Sequence, residues 1–386
     1  MKTLNAAVLY IIFGALLSSC SGGDPVSSSG DTTPTRSFKM GFTPWPYAAT
    51  VEAVDTTYEF LEDNGDLIAH QFDGGIPWVE ALEDDSFETY SDNLQSEVEW
   101  RVAKTEAMSG KTVYVAVSPF SSLRDGMALY WGDSTNEALP SPWDTYTFDS
   151  SYVALAYTNF LTEIIDRLNP TYVNYAVEVN EYYGNTTTDA EKEALIDFLS
   201  TVYSLLKSRH PNVYFMTSFT LSTPGSDKMI EAAELYTLIG NYMDLFGISV
   251  YPYAFFEHED KGDPANLPQD WLYQVTEIAP GQSYFVAETG FIAEDLSIPA
   301  YSLSVESDEE KQADYVQELM QQSERLSMYG VVWFAPIDFD DLWDSSLGDD
   351  LSLIWRDTGL YDGDLVEREA FGVWRYWYGF GTSANR

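Results

Sequence analysis

The sequence predicts an α/β fold, a single (β/α)8 TIM barrel, on three observations. From Phe38 onward, short apolar runs of strand composition alternate with longer runs of helical period. The alternation repeats eight times without a break, whereas an open doubly wound sheet more often stops at about five or six strands. The chain has 386 residues, 45% of them hydrophobic, which is enough for one large core, and it shows no internal repeat or second domain.

Taken in order, SFKMGF (residues 37–42) is the first strand and leads to a helix over 51–62. DLIAHQF (66–72) precedes a helix over 93–108. KTVYVAVS (111–118) is followed by a long loop, 119–149, and a helix over 152–168. TYVNYAVEV (171–179) is rich in β-branched and aromatic residues and precedes a helix over 190–208. NVYFMTSF (212–219) leads to 228–241, and MDLFGISVY (243–251) to a helix near Trp271. SYFVAE (283–288) precedes an acidic amphipathic helix over 308–328. GVVWFA (330–335) and a helix over 367–378 close the series.

Ahead of the barrel, residues 1–19 carry Lys2, an apolar run over 6–17 and small residues before Cys20. That is the plan of a signal peptide, too short and wrongly flanked for a spanning helix. Leu17-Ser18-Ser19-Cys20 resembles the lipobox of bacterial lipoproteins, which implies lipidation of Cys20. Ser21 in place of an Asp retention signal then points to the outer membrane or cell surface of a Gram-negative bacterium. Cys20 is the only cysteine, so no internal disulfide forms. Residues 20–36 form a Gly/Ser/Thr/Pro tether, leaving 37–386 for the barrel.

The formal net charge of −43, from 62 acidic and 19 basic residues, excludes nucleic acid and disfavours strongly anionic polysaccharides. Contact with a membrane is expected through the lipid anchor only, and the barrel is expected to be a monomer. Three scattered histidines without a zinc-helix spacing imply no metal centre. No Gly-x-Ser-x-Gly elbow or phosphate-cradling glycine loop is present, and no cofactor is implied.

In such barrels the working groups stand where strands end. VEVNEYY (177–183) places Asn180 and Glu181 at the end of the fourth strand, and FVAETGF (285–291) places Glu288 at the end of the seventh. Two carboxyl groups across a barrel mouth suit glycosidic cleavage, which needs a proton for the leaving oxygen and stabilisation of an oxocarbenium-like centre. Glu178 reads as a hydrogen-bonded residue between strand and helix. His70, at the end of the second strand, is either a substrate contact or a packed histidine; His210 is structural and His258 solvated. Trp45, Trp78, Trp131 and Trp143 follow strands one to three, and at least two of them are expected to be sugar-stacking platforms. The loop over 119–149 is expected to shape the cleft. The acidic run over 338–350 lacks the spacing of an EF-hand and reads as a solvated loop in preference to a calcium site.

The Asn-Glu of strand four with the Glu of strand seven resembles the clan A glycoside hydrolases, retaining enzymes built on this barrel. FGISVYPYAF (246–255), VAETGF (286–291), VVWFAP (331–336) and the tail with LIWRDTGLYDGD and REAFGVWRYW are similar to the endo-β-1,4-galactanase family of that clan. The resemblance implies Glu181 as acid/base, Glu288 as nucleophile and Asn180 on the sugar 2-hydroxyl. It also implies that Tyr251, rather than Tyr253, holds Glu288 ionised, and that Trp333 forms the floor under the sugar. Tyr182 departs from the Pro found after Asn-Glu in many members, and His70 stands where an Arg is expected. The implied activity is retaining endo-hydrolysis of a neutral β-linked polysaccharide, of galactan or glucan type. A non-catalytic glycan-binding lipoprotein and a transglycosylase on the same residues are the alternatives.

Overall fold

A computed structural model describes residues 35–83, 86–186 and 188–383. Eight parallel strands close into a barrel: β1 (Lys39–Phe42), β2 (Leu67–Phe72), β3 (Thr112–Val117), β4 (Tyr172–Asn174), β5 (Tyr214–Thr220), β6 (Leu245–Val250), β7 (Tyr284–Thr289) and β8 (Gly330–Trp333). The register runs pairwise around the barrel, and β8 pairs with β1 to shut it. Each predicted strand is present, so the predicted fold class stands.

Alternate residues along each strand explain why the chain closes. Leu67, Ala69, Tyr114, Ala116, Tyr172, Met216, Leu245, Phe285, Ala287 and Val332 fill the barrel interior, with Tyr114 and Phe285 stacked at 5.4 Å. Their neighbours in sequence, among them Ile68, Val115, Phe215, Phe246 and Val331, belong to the larger apolar layer under the helices. Gly41 is obligatory at the β1–β2 contact, because a Cβ there would lie 2.2 Å from the Leu67 carbonyl oxygen.

The surrounding helices are α1 (Val51–Asn64), α2 (Asp92–Ala107), α3 (Ser151–Leu168), α4 (Asp189–Arg209), α5 (Asp227–Ile239), α6 (Val275–Ile278), α7 (Glu309–Arg325) and α8 (Glu369–Tyr378). Side-chain caps start several of them: Thr50 accepts from the Ala53 N–H, Thr188 from Glu191 and Asp308 from Lys311. The sixth connection departs from expectation. Its helix is a single turn, and Trp271 and Leu272 are buried by turns instead. Pro264 and Pro268 remove backbone donors that a longer helix would need.

Strand four also ends early. It stops at Asn174, Glu178 adopts a left-handed backbone with φ 55°, and Val179–Asn185 forms a short helix. Asn180 and Glu181 therefore lie on that helix and not on a strand end. Thr35 and Arg36, at the end of the stretch read as a tether, pair in parallel with Gly381 and Thr382. The signal peptide, Cys20 and the rest of the tether lie outside the described residues. Among the described residues, no helix is long and apolar enough to cross a membrane.

Candidate active site

Glu288 reaches the barrel mouth through a register shift. Along β6 and β7, Ile248 pairs with Val286 but Ser249 pairs with Glu288, so Ala287 is the extra residue. Without the bulge, Glu288 would follow Val286 onto the helix-facing side; with it, the carboxylate shares the inner face with Ser249. There the Tyr251 hydroxyl donates to Glu288 Oε1 at 2.6 Å, and the Gln71 amide donates to Oε2. Burial pushes the Glu288 carboxyl above its usual range, and the charge of Glu178 pushes it further; the Tyr251 and Gln71 hydrogen bonds and Arg124 act in the opposite direction.

The carboxylate whose field Glu288 feels is thus Glu178, three residues before Glu181. The Glu178 N–H donates to Ser218 Oγ at 3.0 Å, and Arg124 Nη2 donates to Glu178 Oε2 at 2.9 Å. Below it, Asn174 donates to Ser218 Oγ at 2.9 Å and to the Tyr114 hydroxyl at 3.3 Å. A left-handed, non-glycine residue is uncommon and clusters at functional sites. Glu181 instead faces Lys228 at 3.5 Å near the rim. Asn180 uses both ends of its amide on Thr220, donating to its carbonyl at 3.0 Å and accepting from its N–H at 2.8 Å. That pairing fixes the short helix to β5 and commits one N–H and one lone pair of the amide to the backbone.

Two other expected contacts sit one residue from the mouth. His70 points outward between β2 and α2, fully buried, with Nε2 2.7 Å from Thr105 Oγ1, and Gln71 takes the inner face. Trp333 likewise points outward: its indole N–H donates to the Thr358 carbonyl at 2.9 Å and it packs against Trp374 and Tyr315. Phe334 is the next residue, 9% exposed, and packs against Trp45 at 5.5 Å. Tyr253 is fully buried and donates to the Ile354 carbonyl, so it braces a loop and does not line the mouth.

Burial by surrounding apolar groups, and then the charge of Arg101, hold the His70 imidazole well below 6.5. The native state therefore binds fewer protons than the unfolded chain once the pH falls below about 6.5, and His70 costs roughly 1.4 kcal/mol per further pH unit until its folded pKa is reached. His70→Gln is expected to flatten the loss of stability between pH 7.5 and 5. Urea unfolding of variant and parent at both values checks this; equal slopes would mean that His70 is not buried neutral.

The loop tryptophans divide unequally. Trp78, Trp131 and Trp143 are buried, with Trp78 and Trp143 stacked at 5.5 Å and their loops wrapped around them. Trp78 donates to the Ala128 carbonyl and Trp131 to Asn93 Oδ1. These residues hold the 119–149 loop together, and only Trp45 of the four lines the mouth. It joins Phe334, Phe339 and Trp355 in an aromatic wall across β1 and β8, where Trp355 also packs on Tyr251 at 5.9 Å. The indole N–H groups of Trp45 and Trp355 have no hydrogen-bond partner among the described residues. Trp355 was not singled out in the sequence because it lies far from any strand end.

Beneath this wall, carboxylate oxygens of Asp338, Asp340 and Asp357 lie within 4.8 Å of one another. Arginines already occupy them: Arg368 pairs with Asp338, while Arg356 lies 2.8 Å from Asp357 and 3.2 Å from Asp340. Asp338 also accepts the Gly359 N–H at 2.7 Å. Asp338 thus anchors its loop through a buried ion pair with Arg368, while Asp340 and Asp357 share the half-buried Arg356.

No protein-family model matches this chain, and no curated protein matches it in sequence. Among solved structures, it is similar to a GH5_18 protein from Streptomyces cattleya in complex with Manb1-4GlcNAc, with a TM-score of 0.59, 14% identity, and coverage of 90% of this chain and 82% of that one. It is also similar to GH10 from Paenibacillus barcinonensis, at TM-score 0.56 and 13% identity over 91% of this chain and 97% of that one. The GH53 catalytic domain from Ignisphaera aggregans gives TM-score 0.55 and 14% identity, covering 89% of this chain and 96% of that one. At these identities the likeness establishes the fold, the TIM barrel of glycoside hydrolases in groups GH5, GH10 and GH53.

Proposed function

We propose that the protein is a retaining β-glycosidase in which Glu288 is the nucleophile and Glu178 the acid/base. One observation carries this reading: Glu288, at the end of β7, is oriented by the Tyr251 hydroxyl and the Gln71 amide, and the charge of Glu178, just beyond the end of β4, helps to raise its carboxyl above the usual range. In the first step a Glu288 oxygen bonds to the anomeric carbon as the glycosidic C–O bond breaks. The departing oxygen takes the bond's electron pair and the proton of Glu178. In the second step water attacks the same carbon, gives its proton to Glu178, and releases Glu288 as a carboxylate. Glu181, the acid/base implied by the family resemblance, becomes on this reading a rim residue.

The substrate that fits is a neutral β-linked polysaccharide of galactan or glucan type, cut internally. The aromatic wall offers apolar faces for sugar C–H surfaces, and the net charge of −43 repels polyanions. The Leu-Ser-Ser-Cys sequence supports anchoring through Cys20 at the outer surface of the cell. The test is incubation with β-glucans, galactans, mannans and xylans, with proton NMR of the first products. Oligosaccharides that appear first as the β anomer are expected. First appearance of the α anomer would overturn the double displacement. Retention on a polysaccharide gel without any release would instead favour a glycan-binding protein, and chain-lengthened products a transglycosylase.

A further inference from the structure

The loop after β3 contributes a cation to the mouth that the two-carboxylate scheme does not require. Arg124 has a left-handed backbone, φ 56°, within a tight turn: its N–H donates to the Ser121 carbonyl at 3.0 Å, and the Ser121 N–H donates to Gly126 at 2.9 Å. Its guanidinium donates from Nη1 to the Ser121 carbonyl at 2.9 Å and from Nη2 to Glu178 Oε2 at 2.9 Å, while Nε is buried without a partner among the described residues. Two left-handed, non-glycine residues, Arg124 and Glu178, are therefore joined through their side chains. Such backbones persist only where the surroundings over-determine them.

The turn is also tied to the helix that follows Glu178. Asn185 Nδ2 donates to the Arg124 carbonyl at 3.1 Å, and Phe120 stacks on Tyr182 at 4.6 Å with an interplanar angle of 12°. Loop and carboxylate are thus tied together through three contacts. Because Arg124 engages Oε2, the other oxygen of Glu178 is the one left to carry a proton toward a leaving group. Glu288 and Tyr251 share the field of Glu178, and Glu181, one helical turn on, is paired with Lys228.

We infer that Arg124 is a positioning residue for proton donation: its planar fork fixes the rotamer of Glu178, so that the free carboxyl oxygen faces the glycosidic oxygen. The inference rests on the assignment of Glu178 as acid/base. A displacement of about 1 Å in a reacting group can cost on the order of 100-fold in rate. A flexible lysine cannot reproduce the fork.

The test compares the polysaccharide that the wild type cleaves with the 2,4-dinitrophenyl β-glycoside of the same sugar, whose leaving group departs without a proton. Arg124→Gln is expected to lower kcat on the polysaccharide by roughly 10- to 100-fold and to leave formation of the glycosyl-enzyme from the aryl glycoside within about twofold, as read by the dinitrophenolate burst. Arg124→Lys is expected to show the same split at smaller size, and it carries the test if the Gln variant does not fold. Equal losses on both substrates would reduce Arg124 to a structural tie, and no loss on either would remove it from the mechanism; both outcomes overturn the inference. Glu178→Gln run beside them separates the two levels of the argument. If that variant shows the split and Arg124→Gln does not, the inference alone fails. If Glu178→Gln shows no split, the acid/base assignment beneath it fails as well.

Discussion

Glu288→Ala is expected to abolish turnover of the polysaccharide, by at least about 10⁴-fold, because it removes the oxygen that would bond to the anomeric carbon. Azide added to this variant should partly restore the cleavage of an activated aryl glycoside and give the α-glycosyl azide, since a small anion can enter the space left by the carboxylate. Stability is expected to move in the other direction. A carboxyl group whose folded pKa is raised is less favourably ionised in the native state than in the unfolded chain, so its contribution is lost as the pH rises through the folded value. At pH 7, Glu288→Gln removes that burden while still offering an acceptor to Tyr251 or Gln71. It should melt no lower than the wild type. Full activity in Glu288→Ala, or a large drop in Tm for Glu288→Gln, would contradict the site described.

The second large effect separates two glutamates three residues apart. Glu178→Ala is expected to lower kcat/KM on the polysaccharide by about 10²- to 10⁴-fold, the usual share of general acid–base catalysis. With an activated aryl glycoside and azide, the same variant should recover and yield the β-glycosyl azide, because the nucleophile is intact. Glu181→Ala should stay within a few-fold of the wild type, since a half-buried Glu181 paired at 3.5 Å with an exposed Lys228 is close to a surface ion pair, which contributes about 0–1 kcal/mol. Parallel kinetics of the two variants decide the matter. If Glu181→Ala shows the deep loss and azide rescue, the acid/base is the residue implied by the Asn-Glu motif, and Glu178 is an ion-paired support.

A reader of the sequence meets Asn180-Glu181 first because the dipeptide matches a motif. The three-dimensional partners of these residues are distant in the chain: Asn180 clamps Thr220, 40 residues on, and Glu178 is placed by Ser218, also 40 residues on. No pattern within the stretch VEVNEYY announces that its backbone turns left-handed at Glu178. The buried tryptophans make the same point. Trp78 and Trp143 lie in loops by sequence, yet they stack on each other and form the interior of those loops.

What the sequence determined by itself is the order of elements and the chemistry available. Short apolar runs, separated by stretches of helical period, specify eight strands in series, and closure of the barrel then brings the ends of β4, β6 and β7 to one mouth. Glu288 was legible on that basis and Tyr251 through the family resemblance, and the structure places the hydroxyl of one 2.6 Å from the carboxylate of the other. Tertiary structure alone decided which face each residue takes. Successive side chains on a strand point to opposite sides, so a shift of one residue exchanges mouth for core. That exchange separates Gln71 from His70 and Phe334 from Trp333. In β7 a single extra residue, Ala287, turns Glu288 inward, and its position is set by hydrogen bonding to β6 and not by any local preference of the chain.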